Sequence, residues 1–371
     1  MSNNSSLLNL IDNPKVADIP DSVEAFLFSL KGPSIFLLRG HHSGNCRVVT
    51  TLLHANEPSG IHALHHLLKS QFKPFFDTYI IVASVAAAQI PPTFSHRQLP
   101  NERDLNRCFR PPYLDCNGLL AKSIIDFIVP LKPQCIIDVH NTSGSGPAFC
   151  VSTRYQREHI ALASYFSPWL VHTELALGSI MEVPFTAPII TVEAGGAGDK
   201  RANDNATSGL QSLLSTDDVF AVQQSISLLH HPSRLKIQPN VSISFSERPV
   251  FGAMLTLRHD IERFNFGTTE ADTQLGWTDS DGFRHLAIDS DDESIEIDDF
   301  FYNYRGELRA KVPLKIFMAT SHAEIAKSDC LLYFVDASQV THLAAEETDI
   351  EDTNYPIKSL SRGLIPDQRE V

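Results

Sequence analysis

His54 and Glu57 stand three residues apart in HANEPSG (54–60). An imidazole and a carboxylate at that interval can bend around one cation, and Zn²⁺ accepts nitrogen and oxygen donors together. Such pairs are common in plain polar turns, so their position decides. Here an apolar run, CRVVTTLLH (46–54), empties into the pair, and a helical pattern begins just after it. Open α/β sheets hold ligands at that kind of strand-to-helix junction. A third donor has to come from another strand end, and QCIIDVHNTSGSGP offers His140 at the close of an apolar run. An isolated histidine there is ordinarily a hydrogen-bonded structural residue, but its setting matches that of His54. Three protein ligands leave one position open, the arrangement of a catalytic rather than a structural zinc.

Two further stretches carry chemistry. Glu193 lies in IITVEAGGAG, an apolar strand running into glycines. A carboxylate in apolar surroundings has a raised pKa, which suits proton transfer, and the glycines let a substrate approach the backbone. The alternative is a strand-end carboxylate that is solvated or paired. ERDLNRCF (102–109) crowds Asp104, Asn106 and Arg107 into four positions, as a polar turn or as one wall of a site that holds a carboxylate. Neighbours on a regular strand face opposite sides, so joint use of Asn106 and Arg107 requires an irregular backbone. His62, His65 and His66 fall on the helix after the first motif and His41 and His42 on an early loop, which reads as surface or supporting groups.

The elements that would position these residues are legible as short apolar runs. SIFLLRG (34–40), CRVVTTLLH (46–54), YIIVASV (79–85), QCIIDVH (134–140), AFCVS (148–152) and PIITVEA (188–194) suit strands buried on both faces. Between them, helical spacing predicts helices over 58–69, over 117–129 opened by Asn117, and over 216–230 capped by Thr216. That alternation predicts an α/β fold, a mixed, largely parallel twisted sheet covered by helices. After about residue 234 the pattern alternates apolar and polar residues without long helices. The expected organisation is a catalytic domain over 1–234 and a smaller, mostly antiparallel β domain with an acidic loop over 235–371.

Composition narrows the partners. Of 371 residues, 43% are hydrophobic and 20% charged, enough for one large core and a second, smaller one. A net charge of −14 argues against a phosphate-binding surface and hence against nucleic acid. The N-terminus lacks a basic segment followed by an apolar one, and the most apolar run (79–88) is too short to span a bilayer, so the expectation is a cytoplasmic protein with no membrane partner. Six cysteines without a CxxC pair fit reduced thiols, with Cys108, Cys135 and Cys150 in packing roles. DSDG (279–282) imitates a calcium loop, but Trp277 and Ile288 occupy the first and last ligand positions.

Taken in order, HxxE, DLNRxF, DxHN and ExGG resemble the zinc carboxypeptidase superfamily, and the wording TLLHANEP, DLNRCF and DVHNTSG is most similar to its succinylglutamate desuccinylase/aspartoacylase branch. The resemblance implies a zinc-carboxypeptidase-like fold with a trailing β domain, and one Zn²⁺ held by His54, Glu57 and His140. It implies that Asp104 accepts a hydrogen bond from the far nitrogen of His54, with Asp138 doing similar work for a neighbour. Asn106 and Arg107 would grip the substrate's free carboxylate. Glu193 would activate a metal-bound water against an amide carbonyl and return the proton to the leaving amine. An arginine upstream of the NR pair would face the oxyanion, and Arg97 is preferred over Arg103 for that role. Tyr302 and Tyr304 are the candidates for a pocket tyrosine.

One departure bears on specificity. Relatives that read an acidic side chain carry an arginine shortly before the base glutamate, and residues 168–192 contain neither Lys nor Arg. That points away from N-acetylaspartate and succinylglutamate unless Lys200 or Arg201 substitutes. The implied activity is zinc-dependent hydrolysis of an amide bond in a small N-acyl amino acid or short peptide with a free carboxylate. The alternatives are a metallocarboxypeptidase trimming longer peptides and a non-catalytic binding protein that keeps the fold.

Overall fold

The computed structural model describes residues 7–345 apart from 143, 175, 291–293 and 329. Nine strands of the main sheet come from the first two thirds of the chain: β1 (Asn9–Asp12), β2 (Ser34–Leu38), β3 (His42–Thr51), β4 (Phe76–Val82), β5 (Ile136–Thr142), β6 (Phe149–Ser152), β7 (Trp169–His172), β8 (Ile189–Gly196) and β9 (Ile226–His230). Their order is β1-β2-β4-β3-β5-β8-β6-β7-β9, and a tenth strand, Val340–Leu343, adds beside β9. Six of the nine pairings are parallel, so the sheet is mixed and largely parallel. At its centre β3, β5 and β8 run parallel, which brings the ends of all three to one edge.

Helices α1 (Val23–Ser29), α2 (Ser59–Lys69), α3 (Val85–Ala88), α4 (Cys116–Leu131), α5 (Arg157–Ser164) and α6 (Lys200–Ser215) join the strands. In α2 the apolar spacing works as read, since Ile61, Leu64, Leu67 and Leu68 are all buried. Gly60 lets its first turn press onto β3: a Cβ there would lie 2.1 Å from Thr51 Oγ1. α4 begins one residue earlier than its pattern suggested, because Asp115, not Asn117, is the cap and accepts a hydrogen bond from the Gly118 amide at 2.7 Å. Asn117 instead donates to the Arg103 carbonyl.

The helix expected over 216–230 does not form. Thr216 ends α6, and Ile226–His230 is a strand paired in parallel with β7. A short apolar run carries no decisive period, and pairing along both edges of β9 outweighs the local preference.

From Ser233 onward two five-stranded sheets follow, antiparallel except where Ile243–Ser246 runs parallel to Leu255–Arg258. They share one core built on Leu235, Leu257, Phe301, Leu308, Ile316 and Phe334. A separate cluster joins this part to the main sheet: Phe149, Val171 and Leu229 pack with Phe266, Phe317 and Val335. Cys108, Cys135 and Cys150 are buried, and all six cysteines are free thiols. Among the described residues no helix is long and apolar enough to cross a membrane.

Candidate active site

The turn after β3 carries the first motif. Leu52 takes a left-handed conformation (φ +53°), and the chain then passes His54 and Glu57 before α2 begins at Ser59. Glu57 is shared by two imidazoles: its Oε1 lies 2.8 Å from His54 Nδ1 and its Oε2 2.6 Å from His140 Nδ1. The Asn141 amide also donates to Oε2, at 3.2 Å. The two rings meet edge to face with centroids 4.8 Å apart, and all three side chains are buried.

The far nitrogens are held as well. His140 Nε2 lies 2.8 Å from Asp138 Oδ2, and His54 Nε2 lies 3.1 Å from Asp104 Oδ1. Strand periodicity explains the first pair, since residues 138 and 140 of β5 face the same side. Asp138 is itself fixed by the Thr50 hydroxyl, which donates to its Oδ1 at 2.6 Å.

Electrostatics follow from this arrangement. Burial opposes charge on His140, but the Asp138 and Glu57 carboxylates overrule it and raise its pKa well above the usual imidazole range. Burial likewise opposes ionisation of Glu57, and the two histidines overrule it and hold it well below the carboxylate range. Asp104 is also held low: burial pushes it up, but the hydrogen bond from His54 and the charges of His54, Arg97 and Arg107 win.

The set fits a metal ion on the structure's own terms. Nδ1 of His54, Nδ1 of His140 and the Glu57 carboxylate converge, with one ligand atom from each within 4.8 Å of the others. Both Nε2 atoms rest on carboxylates, which is how metal-ligating histidines are oriented and made basic. Two nitrogens and an oxygen suit zinc.

Glu193 sits on β8 opposite His140 in the β5–β8 register and lines the same cavity. The residue is half-buried, but its Oε2 is enclosed and has no hydrogen-bond partner among the described residues. Burial first, and the nearby Glu57 charge second, push its pKa up to about 8.

The cavity above these residues measures about 130 Å³. Asp104 caps a single 3-10 turn, Leu105–Arg107, accepting a hydrogen bond from the Asn106 amide at 2.8 Å. The backbone there is therefore irregular, as shared use of the NR pair demands, and Asn106 and Arg107 both line the cavity. Asn106 Oδ1 accepts from the Ile180 amide, which leaves its Nδ2 as the other polar end. Arg97 lines the cavity too, donating from Nε to Asp104 Oδ2 at 2.9 Å, with Nη2 2.7 Å from His54 Nε2. Arg103 stays outside, paired with Asp115 on the surface.

Phe149, Val151, Val171, Leu177 and Met181 form the apolar part of the remaining wall, and Asn141, Thr173, Ser179 and Thr191 add uncharged polar groups. Phe317, Met318 and Tyr333 reach in from the β-rich part of the chain. Tyr333 is thus the cavity's tyrosine. Tyr302 instead donates to Asp272, and Tyr304 is exposed. Strand alternation in LLYFVD gives Tyr333 a face but not a neighbour, so sequence alone did not find it. Lys200 and Arg201 are exposed, near Asp204 and Asp199 respectively. Among the described residues, Arg97 and Arg107 are the only Lys or Arg side chains on the cavity wall. His65 lies 2.8 Å from the Pro20 carbonyl and His62 near Phe94, neither of them on that wall.

No family model and no curated protein matches the sequence. Solved structures do match. Murine aminoacylase 3 is 15% identical over 82% of this chain and 98% of its own, with a TM-score of 0.53. A succinylglutamate desuccinylase from Vibrio parahaemolyticus is 12% identical over 87% of this chain and 98% of its own, at 0.55. A succinylglutamate desuccinylase/aspartoacylase from Rhodobacter sphaeroides is 13% identical over 84% and 88%, at 0.51. At these identities the likeness is one of fold. The fold expected from the four motifs, a mixed α/β sheet under helices with added antiparallel sheets, is the fold these structures share.

Proposed function

We propose that this chain is a zinc-dependent deacylase of small N-acyl amino acids that bear a free carboxylate and an apolar side chain. One observation carries the reading: Glu193, whose Oε2 is enclosed with no hydrogen-bond partner among the described residues, faces the same cavity as two histidines that converge on Glu57. His54, Glu57 and His140 would hold the zinc. When bound, it supplies Lewis-acid polarisation of the scissile carbonyl and an acidified water.

The chain's own residues do the rest. Glu193 takes a proton from the attacking water and delivers it to the leaving nitrogen as the C–N bond breaks, giving a carboxylic acid and a free amino acid. Arg97 faces the charge that develops on the carbonyl oxygen. Arg107 receives the substrate's carboxylate with Asn106, whose Nδ2 is the available end. Residues 1–234 act as the catalytic body, to which Val340–Leu343 adds a strand, and Phe317, Met318 and Tyr333 of the distal part supply the roof. The free thiols support a cytoplasmic setting.

Size and lining favour a deacylase over a peptidase. A cavity of about 130 Å³ is well below the roughly 300 Å³ at which ordinary ligand pockets begin, and Phe317, Met318 and Tyr333 close over it. A roof in that position would hinder a longer peptide. An acidic side chain would place a second carboxylate among Val171, Leu177, Met181 and uncharged hydroxyls such as those of Thr173 and Ser179, with no cation beyond Arg97 and Arg107 among the described residues, at a cost of several kcal/mol.

A panel of N-acetyl amino acids and one tripeptide, assayed with zinc-loaded protein, tests this. The expected result is turnover of apolar members, with kcat/KM at least about 100-fold lower for N-acetylaspartate and N-acetylglutamate. Release of the tripeptide's C-terminal residue would favour the carboxypeptidase. No turnover of any member by folded, metal-loaded protein would refute the reading.

A further inference from the structure

A second group of imidazoles lies outside this site. β7 and β9 run side by side and parallel, with His172 opposite His230 in register, so both side chains stand on one face at the strands' ends. His231 follows directly, and on a regular strand it would point to the other face. It does not, because its backbone is left-handed (φ +48°) while its amide donates to the His172 carbonyl at 3.1 Å. The turn brings the His231 ring centroid within 5.2 Å of His172 and 6.2 Å of His230. One ligand nitrogen from each of the three lies within 4.8 Å of the others.

The surroundings favour a held site rather than a chance crowd. Tyr155 packs edge-on against His172 at 4.7 Å and His230 at 5.0 Å, between centroids, fixing two of the three rings. His172 is buried, His230 half-buried and His231 exposed, so the cluster is rigid at its base and open on one side. The group is distinct from the catalytic centre. Val171 and Thr173 line the catalytic cavity, and His172 between them lies on the opposite face of β7. Pro232, next to His231, also lines that cavity, so anything that fixes His231 bears on its wall.

We infer that His172, His230 and His231 form a second divalent-cation site, binding Zn²⁺ through three imidazole nitrogens. Three neutral imidazoles suit zinc, copper or nickel rather than calcium or magnesium. Zn–N bonds of roughly 2.0–2.1 Å in a tetrahedron place the nitrogens about 3.4 Å apart, so closing the set needs only modest ring rotation. The exposed side leaves a position for water or a small anion. Bound metal would tie the ends of β7 and β9 together beside the cavity wall.

The test is metal stoichiometry of the full chain after stripping, titrated with Zn²⁺ against a chromogenic chelator at micromolar free metal. Wild type is expected to bind two equivalents, and the His230→Gln/His231→Gln variant one. The single variant His231→Gln, at the exposed position, keeps the test open if the double variant does not fold, and it too should lose the second equivalent. Stoichiometry unchanged in the folded variants, or a single wild-type equivalent that His54→Gln/His140→Gln abolishes, overturns the proposal. A single equivalent that survives His54→Gln/His140→Gln but is lost on His230→Gln/His231→Gln supports it and refutes the catalytic metal instead.

Discussion

Asp138 is fully buried, with one oxygen 2.8 Å from His140 Nε2 and the other accepting from the Thr50 hydroxyl at 2.6 Å. Asp138→Asn keeps that shape. The amide oxygen still accepts from His140, and the amide nitrogen can donate to Thr50 once its hydroxyl rotates. What disappears is the negative charge behind the imidazole. Carboxylates in that position are worth about 10–100-fold in metal affinity, or roughly 1.4–2.8 kcal/mol. Full burial places Asp138 toward the upper figure, because no solvent screens its charge. Asp104→Asn is the internal comparison. Its side chain is 16% exposed and its charge is shared between His54 and Arg97, so its loss belongs at the lower figure. Zinc affinity by chelator competition reads both, with thermal unfolding of the metal-free variants as the control for fold. A folded Asp138→Asn protein that binds zinc as tightly as wild type would rule out a supporting role for this carboxylate, and a larger loss from Asp104→Asn would reverse the expected order.

Two other outcomes follow from the way the β-rich part meets the site. Phe317 is buried against Phe149 and Tyr333 in the cavity roof, so Phe317→Ala should cost about 3–5 kcal/mol in denaturant unfolding while raising kcat/KM for bulkier N-acyl substrates relative to small ones. Glu262 clasps the loop after His140 to the distal segment: Oε2 accepts from the Ser145 amide and hydroxyl, Oε1 from those of Ser321. Burial alone would raise its pKa, but these hydrogen bonds overrule it and hold it below its usual 4.5. A carboxyl lowered on folding adds stability above its unfolded value and loses it as pH falls through the folded one. Melting temperatures of wild type and Glu262→Gln should therefore differ near neutral pH and converge as the pH drops below about 4.5. A difference that is constant with pH would count against the clasp.

Much of the site was legible because strand periodicity and irregularity leave marks in sequence. The DxH spacing places Asp138 and His140 on one face of β5, and the crowded LNR pair could serve one cavity only from a turn, which is what Leu105–Arg107 forms. Interval alone could not separate Arg97 from Arg103. Asp115 does so in space, by holding Arg103 at the surface while it caps α4. The roof was invisible for a different reason. Alternation tells which way Phe317 or Tyr333 points relative to its own sheet, but not that this sheet docks on β6 and β7. The misread segment 216–230 fails similarly, since its strand character comes from β7 and Val340–Leu343 on either side, contacts remote in sequence. The three-histidine cluster depends on a left-handed His231, which no spacing rule suggests.

In the proposed reaction Glu193 moves the proton while His54, Glu57 and His140 hold the metal. Glu193→Gln, loaded with zinc and assayed on an N-acetylated apolar amino acid alongside wild type, tests it most directly. Metal content should stay unchanged while kcat falls about 10²–10⁴-fold, the worth of a positioned general base. Turnover within about tenfold of wild type, a factor worth only about 1.4 kcal/mol of barrier, would contradict it, as would loss of the metal with the activity.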